Sequence, residues 1–353
     1  HVGMDDGYPV LGVQALRAFG AELYRGVKRK SGAERTRMAP LEFLRAKWPE
    51  QKKRHVMTVG KGGVGKTTVS ACVGQRLAEG EGGSRVMVCS TDPAPSLDDV
   101  FGAEVGDEAV RVGAANLWAV EVDAKREYRN WAHPLQLKIA AAGRRRSGGV
   151  QVELSLEMEV FSKLLDVVPP GVDEMFAVSR IAELAELEDC RMVLDMAPTG
   201  HALELLRTPE RLLRWTRVLM KALSRYKSLG LAQELAVEVA SLSQRLRGAD
   251  ALLRSECAIQ VVTLAEPMAE RESMRLFQAV GEMGLGVEAM FVNRVLVTET
   301  ECGRCRLAKA VQGKVLSRMR RWVSDLYILP EFGSEIVGRA KLERFGRNIL
   351  VLP

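Results

Sequence analysis

One short glycine-rich stretch limits what this chain can fold into. Residues 60–68 read GKGGVGKTT and fit the phosphate-loop pattern G-x-x-x-x-G-K-[ST]. The stretch follows a strand-like run, His55 to Val59, and precedes a segment whose apolar residues have helical spacing. A strand, a glycine loop and a helix in this order aim backbone N–H groups and the positive helix end at a bound anion. The residues expected to hold nucleotide phosphates are Gly60, Lys61, Gly62, Gly63, Val64, Gly65, Lys66, Thr67 and Thr68.

Three side chains of this loop have distinct expected roles. Lys66 is predicted to reach the β- and γ-phosphates, and the Thr67 hydroxyl is predicted to ligate Mg²⁺. Lys61, directly after the first glycine, marks the deviant form of the loop. The chain resembles in this respect the dimeric ATPases in which that lysine reaches the partner subunit's nucleotide. An incidental exposed lysine is the alternative.

Strand-like and helix-like segments alternate along most of the chain. Their apolar strands predict an α/β fold of the P-loop NTPase type, a doubly wound and mostly parallel sheet. Two stretches, about 125–187 and 203–254, are helix-like only and are interpreted as helical insertions. The expected strands are His55 to Val59, Arg85 to Ser90, Leu117 to Val122, Arg191 to Leu194, Ala258 to Leu264, Val287 to Val292 and Leu326 to Leu329.

The first 54 residues are interpreted as a basic extension ahead of an ATPase domain at 55–353. Residues 1–54 carry 12 Lys and Arg against 6 Asp and Glu, which is the whole net charge of +6. Leu11 to Tyr24 and Pro40 to Trp48 are each expected to form a short amphipathic helix. A body without net charge argues against nucleic-acid binding. No apolar run nears the roughly 18–20 residues that span a bilayer, so we expect a cytoplasmic protein.

Two acidic residues stand at the ends of predicted strands. Asp92 lies in Ser90-Thr91-Asp92-Pro93-Ala94, and Asp195 ends the fourth strand. Ligands of doubly wound sheets bind at this edge, where Asp92 could orient an attacking water and Asp195 could act on Mg²⁺. Ordinary structural turns are the alternative for each.

These segments together resemble the arsenical pump-driving ATPases and the tail-anchored-protein targeting ATPases of the same fold. The resemblance rests on GKGGVGKTT, STDPA from Ser90, PPGVDEM from Pro169, DMAPTGHALELLRTP from Asp195 and FVNRVL from Phe291, and it spans about residues 55–350. It implies ATP and Mg²⁺ as ligands and Asn293 as the adenine-reading residue. It also implies a first switch at Asp92 and Pro93 and a second switch at Asp195, Pro198, Thr199, Gly200 and His201. Pro95, Ser96 and Met196 depart from the family pattern, which bears on the hydrolysis rate.

A cysteine pair, Cys302-Gly303-Arg304-Cys305, lies nine residues beyond Asn293. A closed zinc site needs four ligands, and a two-fold dimer would supply them from two such pairs. The targeting ATPases hold zinc between subunits in this way; a redox pair and a pair without metal are the alternatives. Arsenical enzymes bind their metalloid through cysteines in the helical insertions, and both insertions here lack cysteine.

The favoured hypothesis is a homodimeric, Mg²⁺-dependent ATPase whose opening and closing is coupled to an apolar client, such as a membrane-protein segment. The first alternative is the energising subunit of an arsenite or anion exporter. The second is a nucleotide-gated adaptor with negligible hydrolysis.

Overall fold

The structure is a computed structural model. It describes residues 10, 12–25, 42–80, 84–92, 96–113, 116–144, 163, 165, 172–187, 189–196, 212–221, 223–224, 230–298 and 302–353.

Ten strands form one mixed sheet with the order β1-β10-β9-β8-β7-β2-β6-β3-β5-β4. The strands are β1 (Leu44–Arg45), β2 (His55–Gly60), β3 (Val86–Ser90), β4 (Val110–Arg111), β5 (Leu117–Glu121), β6 (Arg191–Asp195), β7 (Cys257–Leu264), β8 (Val287–Val295), β9 (Leu326–Pro330) and β10 (Leu350–Val351). The seven strands from β9 to β5 run parallel, whereas β1, β10 and β4 pair antiparallel at the two edges. All seven predicted strands and the mostly parallel sheet are confirmed.

Helices cover both faces of the sheet. They are α1 (Gly12–Arg25), α2 (Lys66–Glu79), α3 (Leu97–Phe101), α4 (Ala124–Arg144), α5 (Val172–Leu187), α6 (Gly230–Ala251), α7 (Pro267–Glu282), α8 (Gly303–Met319) and α9 (Arg339–Gly346), with a π-helical turn at Leu252–Glu256 after α6. Residues 212–221 are helical as well. All described residues within 125–187 and 203–254 are therefore helical.

The core has two halves because strand side chains alternate between faces. Val56 and Val88 point into the half that α2 and α9 cover. Met57 and Met87 point into the half that α5, α6 and α7 cover. Both faces of the central strands are apolar, as a parallel sheet between two helical layers requires.

The chain order places a ligand crevice at the carboxyl edge of the sheet. After the central β2, the chain builds one side through β3, β5 and β6, and then crosses to build β7, β8 and β9 on the other side. Doubly wound sheets bind ligands where the winding changes direction.

The expected helix at Pro40 to Trp48 is wrong. The residues of this segment that the structure describes, 42–48, contain the strand β1, which pairs with β10 (Leu44 with Val351, Arg45 with Leu350). Trp48 donates from its indole N–H to the Gly346 carbonyl at 2.6 Å and lies 5.2 Å from the Phe291 ring. These contacts with the far end of the chain outweigh the local helical pattern. The other predicted helix of this region is observed as α1.

Within the described parts of the chain, none of the helices has the length and apolar character needed to cross a bilayer.

Candidate active site

The glycine loop follows β2 at the centre of the carboxyl edge. A Cβ at Gly60 would overlap the Val262 carbonyl on the neighbouring β7, so only glycine fits there. Gly63 and Gly65 adopt the left-handed region, with φ of 76° and 91°, which glycine enters without steric cost. The sequence therefore folds locally into a tight loop whose backbone approaches a ligand closely.

Helix α2 begins at Lys66 directly after this loop. No side chain caps its N-terminus, and the first N–H groups of a helix have no partner inside it. The Lys66 amine is buried and lies 3.3 Å from the Lys61 carbonyl. Burial lowers the pKa of Lys66, while the nearby Asp195 and Asp92 carboxylates act in the opposite direction. The Lys66 amine, the first N–H groups of α2 and the positive end of its helix dipole together form a suitable site for a phosphate chain.

A carboxylate is buried directly beneath the loop. Asp195 ends β6, is 1% exposed, and accepts hydrogen bonds from Thr67 Oγ1 at 2.7 Å and Ser70 Oγ at 3.2 Å. Burial raises its pKa to about 6, although the Thr67 hydrogen bond and the Lys66 charge oppose the rise. An ionised Asp195 at neutral pH therefore lacks part of the solvation it needs.

The oxygen atoms around Asp195 fit a hard divalent cation. Ser96 Oγ lies 3.2 Å from Thr67 Oγ1, so two hydroxyls and a carboxylate meet at one point. Mg²⁺ is bound in proteins by one or two such oxygen ligands together with substrate phosphates and water. The penalised buried charge of Asp195 is the kind of group that a cation would neutralise. Thr67 and Asp195 could thus hold magnesium.

Asp92 lies at the carboxyl end of β3, beside this cluster. Its backbone N–H donates to Ser90 Oγ at 3.2 Å, and its charge acts on both Lys66 and Asp195. The structure therefore brings Asp92 close to the loop, as the sequence predicted. The remaining predicted switch residues, Pro93, Pro198, Thr199, Gly200 and His201, lie outside the described residues.

Asn293 closes the other side of the glycine loop. Its side chain is buried, and its Nδ2 donates to the Val64 carbonyl at 2.9 Å. A Cβ at Gly65 would overlap this Nδ2. A cavity of about 830 Å³ extends from Gly65 and Thr68 past Asn293 to Phe332. Its size suits a nucleotide, and its position next to the loop suits the base and ribose.

Lys61 points away from the loop toward the surface. Its side chain is 45% exposed, and its Nζ lies 3.4 Å from Glu272 on α7. It does not approach the phosphate side of its own loop through any contact described in the structure.

The cysteine pair stands at the start of α8. Cys302 is exposed and Cys305 is half-buried. The backbone N–H of Cys305 is the main group that lowers the pKa of the Cys302 thiol, with the Cys305 side chain next, and the thiolate is the form that binds metals. Among the described residues, no three His, Cys, Asp or Glu side chains form a metal site within one chain.

Sequence reasoning missed two residues that shape this site. Ser70 holds the second oxygen of Asp195. Glu121, at the end of β5, accepts hydrogen bonds at 2.9 Å from the N–H groups of Ser96 and Leu97. It therefore anchors the backbone at the start of α3. The signal for Glu121 was present, because it is an acidic residue at the carboxyl end of an apolar strand, like Asp92 and Asp195.

Comparisons with known proteins agree with this geometry. Residues 53–351 match the family model described as the anion-transporting ATPase. A protein of Chlorobaculum tepidum described as a putative arsenical pump-driving ATPase is 31% identical over 313 residues, which covers 82% of this chain and 73% of the relative. The ATPase GET3 of Malassezia globosa is 29% identical over 323 residues, covering 82% and 89%. The putative arsenical pump-driving ATPase 2 of Aquifex aeolicus is 28% identical over 299 residues, covering 82% and 96%.

Replacing Gly65 tests the fit between the loop and Asn293. Gly65→Ala and Gly63→Ala both place a Cβ on left-handed backbone. The Gly65 Cβ meets Asn293, whereas no atom of the described residues lies within 4 Å of a Cβ at Gly63. We expect Gly65→Ala to weaken ATP binding several-fold more than Gly63→Ala, in calorimetric titrations of the two variants. Equal losses would contradict the close fit of loop and asparagine.

Replacing Asp195 tests the buried charge. The pKa of Asp195 rises on folding from 3.8 to about 6, so the folded protein holds this proton more tightly than the unfolded chain does. Stability is therefore lost as the pH rises from 3.8 through about 6, and the loss is complete above that range. We expect Asp195→Asn to raise the free energy of unfolding of the nucleotide-free protein by on the order of 2 kcal/mol at pH 7.5. The gain should shrink as the pH falls to 5, as measured by urea unfolding.

The control for this change is Asp325→Asn, which removes an exposed carboxylate. A gain from Asp195→Asn that is equal at both pH values, or a loss at pH 7.5, would show that the charge of Asp195 is not the penalised group.

Proposed function

The chain belongs to the anion-transporting ATPase family, and from that premise we propose that it is a homodimeric ATPase that closes on ATP and opens after hydrolysis. The observation that carries the proposal is the meeting of Lys66, Thr67 and Asp195 at the uncapped start of α2, beside the cavity that Asn293 lines. The cycle would serve to bind and release an apolar client.

The phosphate end of the site stabilises charge. The loop N–H groups and Lys66 would hold the β- and γ-phosphates, while Thr67 and Asp195 would hold Mg²⁺. A magnesium ion held by these residues would supply positive charge that offsets the charge developing during phosphoryl transfer. The family membership supports ATP and Mg²⁺ as the ligands.

Asp92 is proposed to orient the attacking water. Phosphoryl transfer depends on positioning and charge compensation more than on covalent help from the protein. Asp92 is half-buried at the carboxyl end of β3 and electrostatically coupled to Lys66. Glu121 would support this role, because it fixes the backbone at Ser96, whose hydroxyl lies 3.2 Å from the Thr67 hydroxyl.

Lys61 is proposed to act on the nucleotide of the partner subunit. Its exposed amine pairs with Glu272 in the single chain, and an exposed ion pair of this kind is weak, about 0–1 kcal/mol. The pair can therefore be given up when a nucleotide phosphate of the partner offers a better acceptor. Such a lysine makes each active site incomplete without the second subunit.

The cysteine pair is proposed to hold a zinc ion between two subunits. Each chain offers two thiols at the N-terminus of α8, and a tetrahedral site needs four. A second copy of the chain, related by a two-fold axis, would complete the set. This arrangement would keep two subunits together while their active sites open and close.

The helical insertions are proposed to bind an apolar client. Leu137, Val218 and Val237 are each more than half exposed on these helices. We propose that they belong to one apolar patch, the kind of surface that marks a partner-binding site. The Lys138–Glu234 ion pair ties α4 to α6 beside two of them. We propose that the protein meets such clients in the cytoplasm, and that nucleic acid is not a ligand.

An anion exporter is the alternative role for the same ATPase. Two of the relatives are described as putative arsenical pump-driving ATPases. The absence of cysteine from both insertions argues against a metalloid site there, because thiolates are the ligands that soft centres prefer. If arsenite raises the ATPase rate, and replacing the cysteines removes that increase, the exporter role would be favoured.

Hydrolysis is tested by Asp92→Asn. Loss of the water-orienting carboxylate should lower kcat by about a hundredfold or more, while KM for ATP changes little because the phosphate contacts remain. Asp99→Asn, an acidic residue at the rim of the cavity, serves as the comparison. Equal, near-background rates for wild type and Asp92→Asn would favour the adaptor without hydrolysis.

Zinc sharing is tested by metal content. We expect one zinc ion for two chains in the purified protein, and none in Cys302→Ser or Cys305→Ser, by mass spectrometry of bound metals. Arg304→Ala changes the same turn, keeps both thiols and should keep the zinc. One zinc per chain, or wild type without zinc, would contradict the shared site.

Client binding is tested with Asp92→Asn held in ATP and Mg²⁺. The probe is a carrier protein fused to one apolar segment of about 20 residues. We expect capture of the probe, and its loss when Leu137, Val218 and Val237 are all replaced by Ser. Replacing the exposed apolar Val13 and Leu16 of α1 by Ser is the matched control. Unchanged capture by the triple variant would refute the proposed client face.

A further inference from the structure

Strand β8 carries a bulge at the edge of the nucleotide site. Val292 pairs with Ile328 and Val295 with Pro330, so three steps along β8 match two steps along β9. The bulge therefore contains Asn293 and Arg294, which lie between the two pairs. Arg294 has a φ of 55°, a left-handed conformation that few residues other than glycine adopt. Bulges of this kind redirect a side chain next to a functional site.

The bulge leaves backbone groups without a partner in the neighbouring strand. Gln312, on α8, takes the place of that partner. Its Nε2 donates to the Arg294 carbonyl at 3.1 Å, and its Oε1 accepts from the Leu296 N–H at 2.9 Å. Only an amide side chain can donate and accept in this way through one planar group.

The bulge in turn sets the direction of Asn293. Asn293 Oδ1 accepts from the Arg294 N–H at 2.9 Å, while Nδ2 donates to the Val64 carbonyl. The first of these bonds ties the Asn293 side chain to the backbone of the bulge. Each end of the Asn293 amide keeps further capacity, one N–H and one lone pair, for a ligand in the cavity. Asn293 and Arg294 both line that cavity.

We propose that Gln312 is a positioning residue of the nucleotide site, which fixes the β8 bulge and thereby sets the preference for adenine over guanine nucleotides. The inference rests on the proposed function and on the adenine-reading role that the resemblance implies for Asn293. In the described structure the hydrogen bonds of the Gln312 side chain go to backbone groups of Arg294 and Leu296. Its loss should therefore affect base recognition and leave the phosphate contacts of the glycine loop intact.

A second residue of α8 provides the matched control. Lys309 Nζ donates to the carbonyls of Val297 and Thr298, at 3.2 and 3.4 Å. It thus binds the same helix to the same segment, but beyond the bulge. Lys309→Met removes these bonds without touching the contacts of Gln312.

The experiment compares ATP and GTP hydrolysis by wild type, Gln312→Met, Gln312→Glu and Lys309→Met. Gln312→Met keeps the side-chain length and helix propensity but loses both hydrogen bonds. Gln312→Glu keeps the acceptor for Leu296 and loses the donor to Arg294. We expect both Gln312 variants to raise KM for ATP about fivefold, with kcat within about twofold and KM for GTP little changed. Lys309→Met should keep the wild-type ratio of kcat/KM for the two nucleotides.

Equal losses for ATP and GTP, or equal effects of Gln312→Met and Lys309→Met, would overturn the inference, because a purely structural role predicts them. Thermal unfolding of each variant shows whether it is folded. If one Gln312 variant fails to fold, the kinetic constants of the other Gln312 variant test the inference. Asn293→Ala separates the two levels of the argument. If Asn293→Ala leaves the ratio of kcat/KM for ATP to kcat/KM for GTP unchanged, the base-reading role of Asn293 is wrong. If it lowers that ratio and neither Gln312 variant does, only the role of Gln312 fails.

Discussion

The buried carboxylate of Asp195 is the group on which the rest of the active site depends. It lies under the glycine loop with two hydroxyl donors and a lysine amine nearby, yet burial raises its pKa to about 6. Folding thus buries the Asp195 carboxylate in a place where the surrounding protein groups stabilise its negative charge less well than water does. A cation at the start of α2 would relieve this cost, so ionisation of Asp195 and cation binding would favour each other. Stability given up at a site is a common consequence of function.

The loops around this carboxylate are held in place by groups remote in sequence. Glu121 fixes the backbone at Ser96 and Leu97, beside Thr67, and Gln312 fixes the bulge that carries Asn293. Helix α8 carries Gln312 in its middle and the cysteine pair at its start. The proposed subunit contact and the base end of the site therefore share one rigid element. Cys305 and Gln312 are separated by about two turns of this helix.

The sequence predicted features that local patterns determine. The glycine loop, the apolar strands and the acidic residues at the ends of β3 and β6 all follow from spacing within a few residues, and the structure brings Lys66, Thr67, Asp92, Asp195 and Asn293 to one edge. It could not predict partners that only the fold brings together. Gln312 contacts a bulge 16 to 18 positions away, and β1 pairs with the last strand of the chain. Periodicity alone favoured a helix for that segment, because an edge strand of two residues leaves almost no pattern.

The claim that each active site is shared between two subunits is tested most directly by mixing two defects. One subunit carries Lys61→Ala and the other Asp92→Asn, and the mixed dimer is purified through two different affinity tags. If Lys61 acts across the interface, one site of the mixed dimer unites an intact Asp92 with an intact Lys61. The account predicts that ATP hydrolysis returns in the mixed dimer, although both parent dimers are inactive. A mixed dimer as inactive as its parents would show that Lys61 serves its own chain and would contradict the account.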